Sequence, residues 1–189
     1  MLTLDEIDRM TRAEGAGWGY PHVQRDLKLI QLIRGDISCD DEVLTWAVYL
    51  HDWGAFPRYA QPGVDHALRS HQIAATEILP NTHFTDQQKK MLLECIEKHD
   101  YRDPRSVNAV EALLLREADW LDMLGVIGIV RDCAWGPNQL RTCYDRIVMH
   151  RNVLHNRFTL PIARQIAAER IAQMDLVLAQ LIAESFDTL

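Results

Sequence analysis

The pair His51-Asp52 constrains the fold of this chain more than any other feature of its sequence. It follows the largely apolar run VLTWAVYL at residues 43–50, and Gly54 comes two residues after it. An imidazole and a carboxylate at the inner end of a buried helix are costly to desolvate. A divalent cation offsets that cost, because neutral imidazole and ionised carboxylate are both good metal ligands. The pair therefore indicates a metal site at the end of a helix.

Two further residues, His22 and Asp119, lie on other predicted helices and can complete such a site. Neighbouring residues on a regular helix point about 100° apart, so His51 and Asp52 can bind the same ion only where the regular helix ends. Gly54 allows the helix to end there. Helical domains build metal sites where facing helices converge. Two histidines and two carboxylates leave positions for water, which suits Mn²⁺, Fe²⁺, Co²⁺, Ni²⁺ or Mg²⁺ better than a closed structural zinc site.

Helical periodicity dominates the sequence and predicts an all-α fold of about seven to nine helices, in one domain over residues 1–189. The best strand candidate, residues 157–160, is too short to found a sheet. Gly125 and Gly128 are expected to interrupt the sixth helix. The predicted helices cover about residues 3–13, 21–33, 41–52, 65–80, 85–100, 106–124, 137–157 and 161–185.

Two helix starts carry clear capping signals. Asp40 or Asp41 can cap the third helix, because a carboxylate accepts hydrogen bonds from the unpaired amides of a first turn. Thr85 followed by Gln88 resembles a capping box for the fifth helix. Both signals place the start of a helix within a residue or two.

Composition limits the partners and the location. The formal net charge of −7 makes nucleic acid an unexpected partner, because phosphate backbones need a basic surface. It does not exclude a small phosphorylated substrate, since a metal or a local arginine cluster can make the electrostatic potential of one cleft positive.

No apolar run approaches the roughly 20 residues that span a bilayer, so no membrane association is expected. The N-terminus does not read as a signal peptide, and the cysteines show no CxxC spacing; reduced thiols and a cytoplasmic location are expected.

The order His22, His51-Asp52, Asp119 resembles the HD superfamily of metal-dependent phosphohydrolases, which is named after that dipeptide. Residues 65–74 and 96–99 resemble the helices that follow it in many members. Residues 117–131, EADWLDMLGVIGIVR, are similar to the DADRLDALGAIGIAR-type block of small single-domain bacterial and archaeal HD hydrolases. The resemblance covers about residues 20–135, and the predicted C-terminal helices at 137–185 are consistent with it.

The resemblance implies a bundle-like HD fold and hydrolysis of phosphate esters or anhydrides, commonly those of nucleotides. It implies that the metal ligands are His22, His51, Asp52 and Asp119. In members with two ions the aspartate of the pair bridges them, and additional histidines bind the second ion. His66 and His99 stand at suitable places for that role; alternatively, they contact phosphate or a carboxylate outside the metal shell. The expected cofactor is one divalent ion, or two.

Several charged residues are candidates for catalysis, for orienting a metal ligand or for binding the substrate. Asp52 is expected to be catalytic as well as a ligand. Asp122 can orient a ligand histidine, or else form a surface ion pair with Arg116 or a similar base, and Arg25 follows His22 by three residues and can face the same cleft. Each further basic residue is either a phosphate contact or a solvated charge. These substrate-binding candidates are Arg58, Arg69, Lys98 and Arg102.

Two positions depart from the pattern of the HD subgroup. Trp120 stands where a basic residue is usual, and it can either stack on a base or belong to the core. His71 stands where a small residue is usual. A missing basic residue beside a metal ligand can change which substrate is preferred.

Three hypotheses of function follow. The first is a metal-dependent phosphohydrolase that attacks a small phosphorylated substrate, expected to be a nucleotide, with metal-activated water. The second is a non-catalytic HD-like regulatory or ligand-binding module. The third is a plain helical protein with incidental histidines, in which the four ligand side chains would lie far apart. A homodimer stays open, because the long C-terminal helices can pack on a second subunit.

Overall fold

The protein is all-α in the residues that its computed structural model describes, 1–136, 139–186 and 188–189. Nine α-helices lie in these residues, which confirms the predicted fold class. Two 3₁₀ turns, Trp53–Ala55 and Leu79–Asn81, and a π-helical segment, Ala74–Ile78, complete the regular structure. The helices are α1 (Leu4–Glu14), α2 (Gly19–Ile33), α3 (Asp41–Leu50), α4 (His66–Ile73), α5 (Asp86–Glu97), α6 (Val110–Asp122), α7 (Gly125–Trp135), α8 (Leu140–Leu154) and α9 (Pro161–Glu184).

The predicted caps are confirmed at two helices. Asp40, not Asp41, caps α3 and accepts hydrogen bonds from the amides of Glu42 and Val43. Thr85 and Gln88 form the capping box of α5. Each cap satisfies amides that the first turn of a helix leaves without a partner.

Several boundaries differ from the prediction; the fourth helix ends at Ile73, where the π-helical segment follows, and not at residue 80. Helix α6 begins at Val110 and not at residue 106, and the amides of Asn108 and Ala109, just before it, donate to the side chain of Glu94. Gly125 follows the end of α6 by three residues and starts α7, which was not predicted; its φ of +75° suits a glycine between two helices. Gly128 lies inside α7. The predicted start of the next helix, Pro137, lies outside the described residues, and α8 begins at Leu140.

The first compact unit, residues 1–119, is built around α3. This apolar helix packs against α1, α2 and α5, and Trp46 and Leu50 are buried on it. Trp53, just beyond its end, is also buried, and its indole N–H donates to Thr11 Oγ1 over 3.1 Å. The end of α3, which carries His51-Asp52, is therefore fixed inside the core of this unit.

The second compact unit, residues 120–189, contains α7, α8 and α9, which pack against one another. Trp120 is 4% exposed and meets Phe158 edge to face, so it is a core residue. The expectation that residues 1–189 form a single domain stays a prediction. No helix in the described part of the chain is long and apolar enough to cross a membrane.

Candidate metal centre

His51 and Asp52 follow the last residue of α3, where the backbone leaves the helix. The Nδ1 atom of His51 lies 2.8 Å from the carbonyl oxygen of Val48. A carbonyl only accepts, so Nδ1 carries the proton and Nε2 keeps its lone pair. The end of α3 thus presents His51 as a ready metal ligand.

The first centre forms where Nε2 of His51 meets side chains from α2 and α6. Nε2 of His22 lies 3.1 Å from Nε2 of His51, 3.3 Å from Oδ1 of Asp119 and 3.5 Å from Oδ2 of Asp52. Asp26, one turn after His22 on α2, brings its Oδ2 to 3.3 Å from the same His22 nitrogen. Three helices therefore aim five side chains at one point.

These spacings fit a divalent ion. Ligand atoms about 2.1 Å from an ion and at right angles to one another lie roughly 3.0 Å apart. The distances of 3.1 and 3.3 Å around Nε2 of His22 are close to that value. The donors are imidazole nitrogens and carboxylate oxygens, which suit Mn²⁺, Fe²⁺, Co²⁺ and Ni²⁺. The side chains gathered here can hold such an ion without a large rearrangement.

A second centre adjoins the first through Asp52, whose other oxygen faces it. Oδ1 of Asp52 lies 3.4 Å from Nε2 of His66 and 3.6 Å from Nε2 of His99. The two imidazole nitrogens are 3.2 Å apart, and Oδ2 of Asp100 is 3.4 Å from His66. Asp52 can therefore bridge the two centres, as the HD resemblance implied for members with two ions.

His99-Asp100 repeats the arrangement of His51-Asp52 at the end of another helix. Nδ1 of His99 donates to the carbonyl of Ile96 over 2.6 Å, just beyond the end of α5. Its Nε2 is thereby aimed at Asp52, as that of His51 is aimed at His22. The same backbone hydrogen bond, three residues back, orients a histidine at each centre.

The environment sets the charge of these groups. Burial lowers the pKa of His51 to about 4, although the negative charge of Asp52 acts to raise it. Burial raises the pKa of Asp52, but His51, His99 and His66 outweigh it and bring the pKa well below the ordinary value. Burial also lowers the pKa of His99, but the hydrogen bond with Asp52 and the charges of Asp119 and Asp52 raise it to about 9. At neutral pH His51 is therefore neutral and Asp52 ionised, the forms that bind metals.

The site is closed at one side and open at the other. The side chains of His22 and His51 are at most 1% exposed, and Asp26 is fully buried. Asp52 is 15% and His66 26% exposed. A ligand from solvent therefore reaches the centres past Asp52 and His66.

Arg102 and Arg116 hold the segment after α5 that carries His99. Arg116 is buried and donates to the backbone carbonyls of Lys98, over 2.6 Å, and Arg105, over 2.9 Å. The guanidinium of Arg102 forms a close ion pair with Asp100. Of the four predicted substrate-binding residues, Arg102 is the one that the structure brings into contact with the second centre.

Arg58 and Arg69 are engaged elsewhere. Arg58 lies on the surface and pairs with Glu14 at 2.6 Å. Arg69 donates to the carbonyl of Tyr59 over 2.9 Å. Such contacts support the surrounding loops, and the expected role of both arginines in substrate binding stays a prediction.

The remaining predicted residues are also placed. Lys98 pairs with Glu94 at 2.8 Å, and Arg25 lies half-buried on α2, three residues after His22. Asp122 is buried and pairs with Arg131; both residues of this pair belong to the second unit. The expected roles of Lys98, Arg25 and Asp122 stay predictions.

Two carboxylates of the centres, Asp26 and Asp100, were not singled out from the sequence. Asp26 is four residues after His22, the spacing that puts two side chains on one helix face. Asp100 forms a second His-Asp pair with His99. Both signals are present, but neither pattern identifies a ligand until the helix ends are known to meet.

Asp26→Asn is expected to weaken binding of Mn²⁺ by about 10–100-fold, the range for partners that support metal ligands. The amide keeps the shape of the side chain and removes one negative charge from the buried side of the first centre. Calorimetric titration with Mn²⁺ measures the change. The matched control is Asp36→Asn, at an exposed position in the same unit. An unchanged affinity in Asp26→Asn would show that this carboxylate does not act on the ion.

Comparison with known proteins identifies the family. A model of the HD domain matches residues 19–124, more than half of the chain, and the chain belongs to the HD domain family. No curated protein is a significant sequence match. Membership of this family supports a metal-dependent hydrolase.

Solved structures agree with this assignment. A predicted HD superfamily hydrolase from an uncultured Thermotogales bacterium is 25% identical with a TM-score of 0.65, over 96% of this chain and 92% of that one. Bacillus subtilis YpgQ in complex with ADP is 20% identical with a TM-score of 0.70, over 95% and 93%. An HD-superfamily hydrolase from Bacillus thuringiensis is 18% identical with a TM-score of 0.62, over 97% and 94%. The last two share the fold.

Proposed function

We propose that this protein is a metal-dependent phosphohydrolase that cleaves a phosphate ester or anhydride bond of a nucleotide. One observation carries the proposal: donor atoms of His22, His51, Asp52 and Asp119 converge on one point that is open to solvent on one side. The arrangement argues against the hypothesis of a plain helical protein with incidental histidines, because that hypothesis expects the four side chains to lie far apart. It also leaves room for a substrate oxygen beside the ligands.

The residues of the first centre divide the work of holding a divalent ion. His22 and His51 would hold such an ion through their imidazole nitrogens, and Asp52 and Asp119 through their carboxylate oxygens. A bound ion supplies a Lewis acid for a phosphoryl oxygen and lowers the pKa of a bound water. The backbone carbonyl of Val48 keeps His51 in the tautomer that leaves Nε2 free. Because the sequence has no GxSxG or P-loop pattern, no covalent nucleophile is expected.

The choice of a nucleotide rests on two supports. The HD resemblance implies phosphate esters or anhydrides, commonly those of nucleotides. YpgQ, which shares the fold, has been solved in complex with ADP. The acidic chain needs a cation to attract such an anion, and a cation held at the first centre would meet that need.

A panel of substrates tests the proposal. The chain, loaded with Mn²⁺, is incubated with nucleoside mono-, di- and triphosphates and with a generic phosphodiester, and released phosphate and nucleotide products are measured. Hydrolysis of at least one nucleotide, lost with EDTA and restored by Mn²⁺, is the expected result. Tight binding of Mn²⁺ with no turnover of any substrate would contradict it and favour the non-catalytic module.

A further inference from the structure

A cleft of about 370 Å³ lies in the second compact unit, between the end of α8 and one face of α9. Three of the side chains that line it are apolar and buried, and they form its floor: Phe158, Ala167 and Ile171. Ala168, one turn of α9 after Arg164, also lines the cleft, and its small side chain leaves the space open. Sites for small organic ligands in proteins begin at roughly 300 Å³, so the cleft is large enough to hold one.

The charged side chains at this cleft are mainly basic, in contrast to those of the chain as a whole. Arg151 and Arg164 line it together with one carboxylate, Asp175, whereas the whole chain has a formal net charge of −7. Asp175 is already paired, because its two oxygens lie 2.9 Å and 2.8 Å from Nε and Nη2 of Arg151. The charge that this pair does not neutralise is that of Arg164.

Backbone carbonyls, and not a carboxylate, hold Arg164 in place. Its Nε donates to the carbonyl oxygen of Phe158 over 3.4 Å, and its Nη2 donates to that of Thr159 over 3.2 Å. Among the residues that the structure describes, no carboxylate lies within 4 Å of this guanidinium. A guanidinium has five N–H donors, so further donors of Arg164 can bind an anion.

The cleft therefore combines an apolar floor with a cationic group at its edge. An aromatic ring on the floor leaves water, which is favourable, and an acidic group on the same molecule gains charge-assisted hydrogen bonds from a guanidinium. A neutral ring would use only the floor, and an inorganic anion would use only the guanidinium. His155 and Asn156, at the end of α8, add polar groups beside the same space.

We propose that this cleft is a second ligand site, which binds a small aromatic anion with its acidic group on Arg164 and its ring against Phe158 and Ile171. The site shares no residue with the metal centres, because its lining residues all belong to the second unit and the side chains of the centres all belong to the first. Its ligand needs no metal ion. The proposal therefore does not depend on the proposed function.

Methyl NMR of the protein loaded with Mg²⁺ tests the site, because the methyl groups of Ile171 lie in its floor. The probes are benzoate and phenylphosphonate, which carry a ring and an acidic group and have no phosphate ester bond to hydrolyse. Either probe is expected to shift the Ile171 signals in a saturable way. The tighter of the two identifies the acidic group as a carboxylate or a phosphoryl group.

Two control compounds separate the ring from the charge. Benzamide keeps the ring of benzoate without its charge, and inorganic phosphate keeps the charge of phenylphosphonate without its ring. Each is expected to bind at least about tenfold more weakly than its probe, the least that the loss of a charge-assisted hydrogen bond or of a buried ring costs. Ile171 signals that respond to neither probe, or a control that binds as tightly as its probe, would overturn the proposal.

Arg164→Gln tests the cationic group. The amide can still donate to a backbone carbonyl, but the charge is lost, and binding of both probes is expected to weaken by about tenfold or more. The matched control is Arg141→Gln, because Arg141 is 63% exposed, pairs with Asp145 and does not line the cleft. This control should leave both affinities unchanged. Full affinity in Arg164→Gln would refute the role of its guanidinium.

Ala168→Leu tests the shape of the cleft, because it fills part of the space and leaves every charged group in place. Binding of both probes is expected to weaken by about tenfold or more. Ala179→Leu is the matched control, at an exposed position of the same helix outside the cleft. The Ile171 signals of each variant without ligand show whether the second unit keeps its fold. Full affinity in a folded Ala168→Leu protein would contradict the proposal.

This proposal and the proposed function can fail separately. A chain that hydrolyses a nucleotide, but whose Ile171 signals respond to neither probe, keeps the proposed function and loses the second ligand site. A chain that hydrolyses no nucleotide, but whose Ile171 signals respond to the probes, loses the proposed function and keeps this site.

Discussion

Asp52→Asn is expected to abolish measurable hydrolysis and to weaken binding of Mn²⁺ by more than the roughly 10–100-fold lost with an outer partner of a metal site. The substitution keeps the size of the side chain but removes its charge. Both carboxylate oxygens are used: Oδ2 faces His22 and His51, and Oδ1 faces His66 and His99. A single change therefore disturbs both centres. Calorimetric titration and kcat/KM on the substrate found in the panel measure the loss.

The control for Asp52→Asn separates metal binding from folding. Asp36→Asn removes one charge from an exposed position and should change neither affinity nor turnover. Thermal unfolding with and without Mn²⁺ adds a second readout, because a ligand that binds only the folded state stabilises it by about 2.7 kcal/mol at 100 times its Kd. Asp52→Asn should lose this stabilisation. Hydrolysis at the original rate by a metal-free Asp52→Asn protein would refute the assignment of the site.

The helices were predictable because their signals are local. Apolar periodicity and the caps at Asp40 and Thr85 depend on residues a few positions apart, and the structure confirms them. The start of α6 is marked by a non-local contact instead, because the amides of residues 108 and 109 donate to Glu94 on another helix. Helix α7 was missed because a glycine was treated only as a stop signal. Gly125, with φ +75°, lies three residues after the end of α6 and starts α7.

A candidate ligand was predictable where it belonged to a conspicuous dipeptide. It was not predictable where its position depends on how separate helices pack. His51-Asp52 is conspicuous at the end of an apolar helix. Asp26 looks like any acidic residue of an amphipathic helix until α2 is seen to bury it against His22. The contacts of Arg102 with Asp65 and His66 are also non-local, because they join residues 36 or 37 positions apart. Such contacts follow from packing and leave no periodic pattern.

Gly54→Ala is expected to destabilise the protein by about 1–3 kcal/mol or more, the usual cost of forcing an extra group into a packed interior. A Cβ at residue 54 would lie 2.2 Å from the carbonyl oxygen of His66 and 2.7 Å from the amide nitrogen of Ser70. Both are backbone atoms of α4, so no side chain can simply rotate away. Gly54 also donates its N–H to Ser70 Oγ over 2.7 Å, which holds the two backbones together. Urea unfolding measures the loss.

The same substitution should also disturb the second centre, because His66 begins the helix that must move. Lengthening the 3.4 Å approach of His66 to Asp52 is expected to change the imidazole signals of His66 in Gly54→Ala. The control is Gly63→Ala, where φ is +79° and nothing lies within 4 Å of the added carbon. Its cost is about 1–2 kcal/mol of backbone strain, with the His66 signals unchanged. If Gly54→Ala unfolded at the original urea concentration and kept its His66 signals, the close approach of the two backbones would not be what positions His66 against Asp52.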